Sequence, residues 1–565
     1  MCAGTLLAVS PVIHSNTMKY KYLKFAATAA EGKKLSIGNF HFIQCLTAAA
    51  LAVGLSNSSA FASITYSGDT SDVAVVVVGN STVGNLTIDG DSVLSSGSGI
   101  IGNNANSTGT VNVVSGAWTT SGILTVGDNG NGTLNLTSGS VTNSFSYIGN
   151  STSGTGTVNV SGGIWKNYST LMVGNSGSYN SLVIYNGGKV QNAEGAVGYN
   201  FGSSYNSVLV TGTNSLWTNT GINVGMRGTY NSLGISNGGK VQVDYAYIGN
   251  ESASSNNTVT VTGAGSAWTS AQGVTVGSNG NRNRMVISDG GNVQNVNGFI
   301  GRYTNNASYN SVLVTGVNST WTNTGNLNVG LGGSSNSVVV SNGGVVRNVN
   351  GSIGSQSSSG NNTVEVTGVN SAWRNSGTLT IYGNNTLSVA NGGKVAANGG
   401  ITSYGTLSGN GTIAANTTIK SGGSLAPGNS PGMLTVNGNL TLSLGSKYDC
   451  QVFSGSMDAD SVDVNGVLTL DQTTLNLTNL GAYVTAEKFT LFAYESLSGT
   501  FAGLADDTTF TAGGGDWLIN YNDITGGLNT AAVGTSYVTL TAVPEPSALL
   551  LGALGVAGLM RRRRI

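Results

Sequence analysis

Charge is the scarcest property of this 565-residue chain: Asp, Glu, Lys and Arg together make up 8% of it, where about 25% is usual. A chain so poor in charge cannot keep itself solvated as a disordered coil, and its many Val, Leu and Ile supply a core instead. Proline is rare, at 5 residues. Of the three cysteines, Cys2 and Cys45 lie near the N-terminus and only Cys450 lies in the body, so no disulfide can form within the body. Both histidines, His14 and His41, are also N-terminal. A body without histidine excludes Ser-His-Asp and Cys-His catalysis and ordinary zinc or haem ligation. No cofactor is expected. Between Ser63 and Val543 there are 13 basic and 21 acidic residues, with no basic stripe of the kind that phosphate backbones require, so nucleic acid is not an expected partner.

What is abundant is glycine, at 87 residues, together with Asn, Ser and Thr, all of them turn formers. Tryptophan marks a period: Trp118, Trp165, Trp217, Trp268, Trp321 and Trp373 recur about 51 residues apart. Val208-Leu209-Val210-Thr211-Gly212 precedes Trp217, and Val312-Leu313-Val314-Thr315-Gly316 precedes Trp321. A second alternating run closes on Asn-Gly-Gly, as at Asn186-Gly187-Gly188 and Asn237-Gly238-Gly239. Strict alternation marks strands with one buried face, and Asn-Gly supplies the positive φ of a sharp turn. Each unit shows two such sets, so it reads as two coils of about 25 residues, stacking roughly 4.8 Å apart. The span 63–445 then holds roughly 15 coils, a rod of about 70 Å. A β-propeller with blades of about 50 residues is the rival reading.

The two ends read as addresses. Residues 1–62 form a long signal peptide, with Lys33 and Lys34 before an apolar stretch from Ile43 to Leu55. Ala60-Phe61-Ala62 fits a small-x-small site cut before Ser63, and either Met1 or Met18 can serve as the start. At the other end Val543-Pro544-Glu545-Pro546 precedes an apolar run from Ala548 to Met560 and then Arg561, Arg562, Arg563 and Arg564. Thirteen helical residues reach about 20 Å, short of the ~30 Å hydrocarbon core, which suits transient rather than permanent membrane anchoring.

This tail resembles the PEP-CTERM sorting signal of Gram-negative and related bacteria. The resemblance implies recognition by an exosortase, through Pro544, Glu545, Pro546 and the four arginines. The repeats look like the autotransporter-associated, PEP-CTERM-associated family. Leu425-Ala426-Pro427-Gly428-Asn429-Ser430-Pro431-Gly432 resembles the end of autotransporter passenger solenoids, although no long run of membrane-barrel strands follows. The expectation is an all-β chain: a right-handed parallel β-helix or solenoid over 63–445, a β-rich cap over 446–542, and a sorting tail with a short transmembrane-like helix over 543–565. The resemblance implies an exported bacterial cell-envelope or extracellular protein, structural or adhesin-like and not an enzyme, in the setting of extracellular polysaccharide and biofilm matrix.

A carbohydrate-binding or polysaccharide-degrading β-helix is the alternative. Carboxylates cluster at Asp89/Asp91, Asp458/Asp460/Asp463 and Asp506/Asp507, where a solvated loop or a calcium site are the two readings. Trp217, Trp268 and Trp321 either fill a corner of the solenoid or stand exposed as a ladder for sugar rings; composition leaves both open.

Overall fold

The alternation expected of half-buried strands is what the chain adopts. In the computed structural model the strand Ser207–Thr211 buries Val208 and Val210 and turns its other residues outward. A short second strand, Leu216–Thr218, and a third, Gly221–Val224, complete one turn of chain, and the next begins at Ser232. The structure describes residues 69–355, 359–428, 431–529 and 536–544, with short backbone stretches at 22–24, 35–36, 50–53, 63–66 and 555–556.

Each strand pairs in parallel, and in register, with its counterpart one turn on: Ser207 with Ser232 and Val208 with Leu233, then Ser232 with Thr258 and Leu233 with Val259. The fold is an all-β parallel β-solenoid of about 17 turns, without helix in its body. At about 4.8 Å per turn this is a rod of roughly 80 Å. Parallel ladders between turns exclude the propeller, whose blades are separate sheets set around a channel. The roughly 25-residue coil holds for most of the chain. It shortens where first strands begin at Thr386, Thr406 and Ser424, and winding continues past residue 445 through strands that begin at Lys447 and Thr474, so the turns outnumber those expected.

The 51-residue period has a packing cause. On the second strand, tryptophan and a smaller residue alternate from turn to turn: Val190 pairs with Trp217, Trp217 with Val241, Val241 with Trp268, and Trp268 with Val293. Two indoles stacked directly would overfill the column, and two valines would leave a void; alternating them keeps each layer close-packed. The third strand completes the fit. A Cβ on Gly298 would stand 2.8 Å from Cζ2 of Trp321, and one on Gly351 2.7 Å from Cζ2 of Trp373.

Turns follow the backbone chemistry of their residues. Asn237 (φ 51°) and Gly238 (φ 85°) make the tight reversal between first and second strands.

The sequence period ends near Asp449, but the parallel winding does not. Lys447–Phe453 pairs in parallel with Thr474–Asn479, and Ser461–Asp471 with Lys488–Thr500. A short antiparallel hairpin joins Val452 and Phe453 to Ala459 and Asp458, and beyond Thr500 all pairing reverses: Thr508–Ala512, Gly515–Asp523 and Ser536–Val543 are antiparallel, and the last of them lies along Lys488–Thr500. Strands of 11 and 13 residues here replace the short ones of the repeats, which hides the period while the ladder persists. At the other end, Ala50–Val53 pairs in parallel with the strand Asp69–Val78.

Candidate binding surface

The most regular polar feature is an interior column of asparagines. Nine of them, from Asn180 to Asn385, occupy one position in successive turns and are 0–1% exposed. Asn206 donates its backbone N–H and its Nδ2 to Oδ1 of Asn231, both at 3.0 Å. Asn231 does the same to Asn257 at 2.9 and 3.1 Å, and Asn257 to Asn283 at 3.0 Å. Each buried amide thus satisfies the turn before it and is satisfied by the turn after it. The close fit demands glycine opposite: Gly225 has φ 74°, and a Cβ there would lie 2.1 Å from Nδ2 of Asn257.

To aim that asparagine inward, the residue before it takes a left-handed backbone. Tyr179, Tyr205, Tyr230, Asn256, Arg282, Tyr309 and Ser335 all have φ between 53° and 63°. For tyrosine this is costly, on the order of 1–2 kcal/mol. Its side chain is thrown out to solvent, and the exposures of Tyr179, Tyr205 and Tyr230 are 68%, 49% and 50%. Their rings stack face to face, with centroids 5.2 and 5.1 Å apart and planes within 8°, which offsets part of the backbone cost. Further along the row the Arg282 guanidinium lies 5.3 Å from the Tyr309 ring. In the same connections Arg227 covers exposed Phe201 at 5.4 Å, and Arg302 lies 4.1 Å from Phe299 and 4.5 Å from Tyr303. One edge of the rod therefore carries a file of aromatic rings and guanidinium groups. Amphipathic periodicity does not reveal it. The signal was the recurring Tyr-Asn-Ser at 179–181, 205–207, 230–232 and 309–311.

The tryptophans are not part of any surface. All six are 0–1% exposed, so a glycan cannot reach Trp217, Trp268 or Trp321, and the exposed-ladder reading is corrected to a core one. Their indole N–H groups are satisfied inside: Trp217 donates to Oδ1 of Asn192 at 2.8 Å, and Trp373 to that of Asn348 at 2.6 Å. Trp268 has no partner.

Members of each acidic cluster accept hydrogen bonds from neighbouring strands and turns. Asp89 accepts from the Gly90 amide and the Ser115 hydroxyl, each at 2.8 Å, and these bonds hold its carboxyl below the usual range. Asp506 accepts from the Tyr521 amide and Asp507 from Asn520. Asp460 is buried, pushed up to about 6 by that burial against the opposing bonds from the Gln451 and Gly432 amides, at 3.0 and 3.1 Å. Among the described residues no three His, Cys, Asp or Glu side chains gather to hold a metal. Cys450 is buried, and burial pushes its thiol well up, which disfavours the reactive thiolate.

Of the sorting residues, Pro544 is exposed directly after the last strand, while Glu545, Pro546 and Arg561 to Arg564 lie outside the described residues, as do Ala60 and Ala62. Ser63 opens the strand Ser63–Tyr66. Of the tail helix only residues 555–556 are described, as helical, and among the described residues no helix is long and apolar enough to cross a membrane.

Fold and tail together define a β-solenoid carrying an export address. Residues 542–564 match the PEP-CTERM protein-sorting motif. With that motif the chain is an exported protein of the cell surface or extracellular space. No curated protein matches the sequence. Among solved structures the Haemophilus influenzae Hap adhesin is similar at 11% identity, with a TM-score of 0.25, over 85% of this chain and 64% of the adhesin's. The chain thus spans less than two thirds of that protein's length, and a likeness so slight carries no weight for fold or role.

Proposed function

We propose that this chain is a non-catalytic rod, structural or adhesive, which reaches the outer surface or matrix by signal-peptide export and by processing of its tail by an exosortase-type enzyme. The placement of the sorting motif carries this reading. The motif starts at residue 542, and the last strand, Ser536–Val543, ends at 543. The address thus follows the rod without a spacer, and cleavage near Pro544 would leave every strand of the solenoid intact. In this reading residues 1–62 are removed before Ser63, the apolar run from Ala548 to Met560 holds the chain in the membrane only in transit, and Arg561 to Arg564 stay on the cytoplasmic side.

The test is expression in an exosortase-bearing bacterium of the native chain and of a triple variant, Pro544→Ala, Glu545→Ala and Pro546→Ala. Intact mass of the C-terminus and protease shaving of whole cells are the readouts. The native chain is expected to lose its tail and appear outside, and the variant to keep it and stay membrane-bound. Equal processing of the two would overturn the sorting role. Release of reducing ends from any member of a polysaccharide panel would overturn the non-catalytic one.

A further inference from the structure

We infer that the connections from third to first strands, between residues 174 and 310, form a binding edge for an acidic polysaccharide lying along the rod; this rests on the reading that the chain works outside the cell. Charge sets this edge apart from the rest of the rod. The body is acidic, yet these connections hold Arg227, Arg282 and Arg302, and Arg284 opens the strand that follows one of them; that is four of the six arginines of the body, against one acid in the connections, Glu251. None of the four has a carboxylate within ion-pair distance; the one ion pair among the described residues is Lys488 with Asp523.

The orientation of the rings favours the same ligand. Tyr205 is stacked on both faces, by Tyr179 and Tyr230, which each give one face to it, and Phe201, Tyr303 and Tyr309 each have a guanidinium over one face. Stacked this way, the file turns ring edges outward. Aromatic edges are the positive part of the ring quadrupole, phenolic hydroxyls donate, and guanidinium forks donate to carboxylates in pairs. Such an edge suits a chain of carboxylates and hydroxyl acceptors. It offers a neutral sugar fewer free ring faces than an unstacked row would. Donors recur with the turn spacing of about 4.8 Å, so a linear polymer meets them in series and gains by avidity.

Purified full-length protein would be tested by affinity electrophoresis against polygalacturonate, dextran and polyglutamate at low and high salt. Polygalacturonate is expected to retard the protein, less so at high salt, and dextran is not. The triple variant Arg227→Gln, Arg282→Gln and Arg302→Gln is expected to bind about tenfold more weakly and with less salt dependence. The variant Tyr205→Asn and Tyr230→Asn copies the residue that row already uses at Asn256, so it keeps the left-handed backbone; it is expected to bind several-fold more weakly with its salt dependence retained. No retardation by polygalacturonate, equal retardation by dextran or by polyglutamate, or unchanged binding by both variants would each overturn the proposal. The sorting test above reads processing and not binding, so either result can fail without the other.

Discussion

Trp321 donates its indole hydrogen to Asn295 in the preceding turn, with 2.8 Å between Nε1 and Oδ1. Asn295 stands two residues beyond Val293, the strand partner of Trp321. The same geometry joins Trp165 to Asn143, and Trp118 finds Ser96 there at 3.2 Å. At Trp268 the corresponding residue is Val243, which offers no acceptor, and the indole N–H is stranded in the core.

Val243→Asn is therefore expected to stabilise the protein, by about 1 kcal/mol, the usual net value of a buried hydrogen bond. Urea unfolding of the wild type, Val243→Asn, Trp268→Phe and the double variant would isolate the pair. The gain should vanish when Trp268 is replaced. A loss of stability on Val243→Asn alone would show that the indole is not short of an acceptor.

The asparagine column predicts a larger effect. Asn231→Ala removes the acceptor for two donors of Asn206 and a donor to Asn257. Stranding buried polar groups costs about 1–3 kcal/mol each, so a loss of about 2–4 kcal/mol is expected, and Asn→Ala in an exposed turn should lose far less. Hydrogen exchange at the Asn206 amide is the local readout. Unchanged protection there would mean that the column does not hold the turns together.

The glycine facing the Trp321 indole is the third test. Gly298→Ala places a methyl 2.5 Å from Oδ1 of Asn323, 2.8 Å from Cζ2 of Trp321 and 2.9 Å from Cδ1 of Leu327. Overpacking of this kind costs about 1–3 kcal/mol. Combined with Trp321→Phe, the double variant should lose less than the sum of the two single losses, because the smaller ring relieves the part of the crowding that Trp321 causes. Strict additivity would argue against the contact.

Two carboxyls near the C-terminal end give opposite pH dependence. Asp460 holds its proton up to about 6 in the folded protein, chiefly through burial. Between about pH 4 and 6 the unfolded chain releases that proton first, so stability falls as pH rises through this window. Burial also pushes Asp523 upward, but the Lys488 ammonium at 2.8 Å, the amide and hydroxyl of Thr525 and the hydroxyl of Thr539 outweigh it and bring the group to about 2. Its contribution is present above about pH 4 and lost as pH falls toward 2. Denaturation midpoints from pH 2 to 7 should show Asp460→Asn flattening the upper limb and Asp523→Asn the lower. A Lys488→Met variant should resemble the latter.

The solenoid was legible because its physics is local and repeated. Val208 and Val210 alternate with polar neighbours, Asn237-Gly238 can hardly be anything but a turn, and the tryptophans set the unit. Whether those tryptophans faced out was not legible, since Thr and Asn flank them in either case; the answer lay in Asn192 and Asn295, about 25 residues away in sequence and one turn away in space. The tyrosine row was missed for a related reason. Nothing local to Tyr205 shows that Asn206 must point inward and so forces the left-handed backbone that expels the ring. The change of period at Asp449 marked longer strands and not the end of parallel winding, because periodicity measures spacing along the chain while pairing depends on register.

The alternation of large and small residues on the second strand has a consequence for how such a molecule can grow. Deleting or duplicating a single coil would bring two indoles, or two valines, into adjacent layers. Gene rearrangements that add or drop one coil should therefore be selected against, and those that move a Trp-Val pair tolerated. Viable homologues should differ in steps of about 51 residues, each changing reach by about 10 Å.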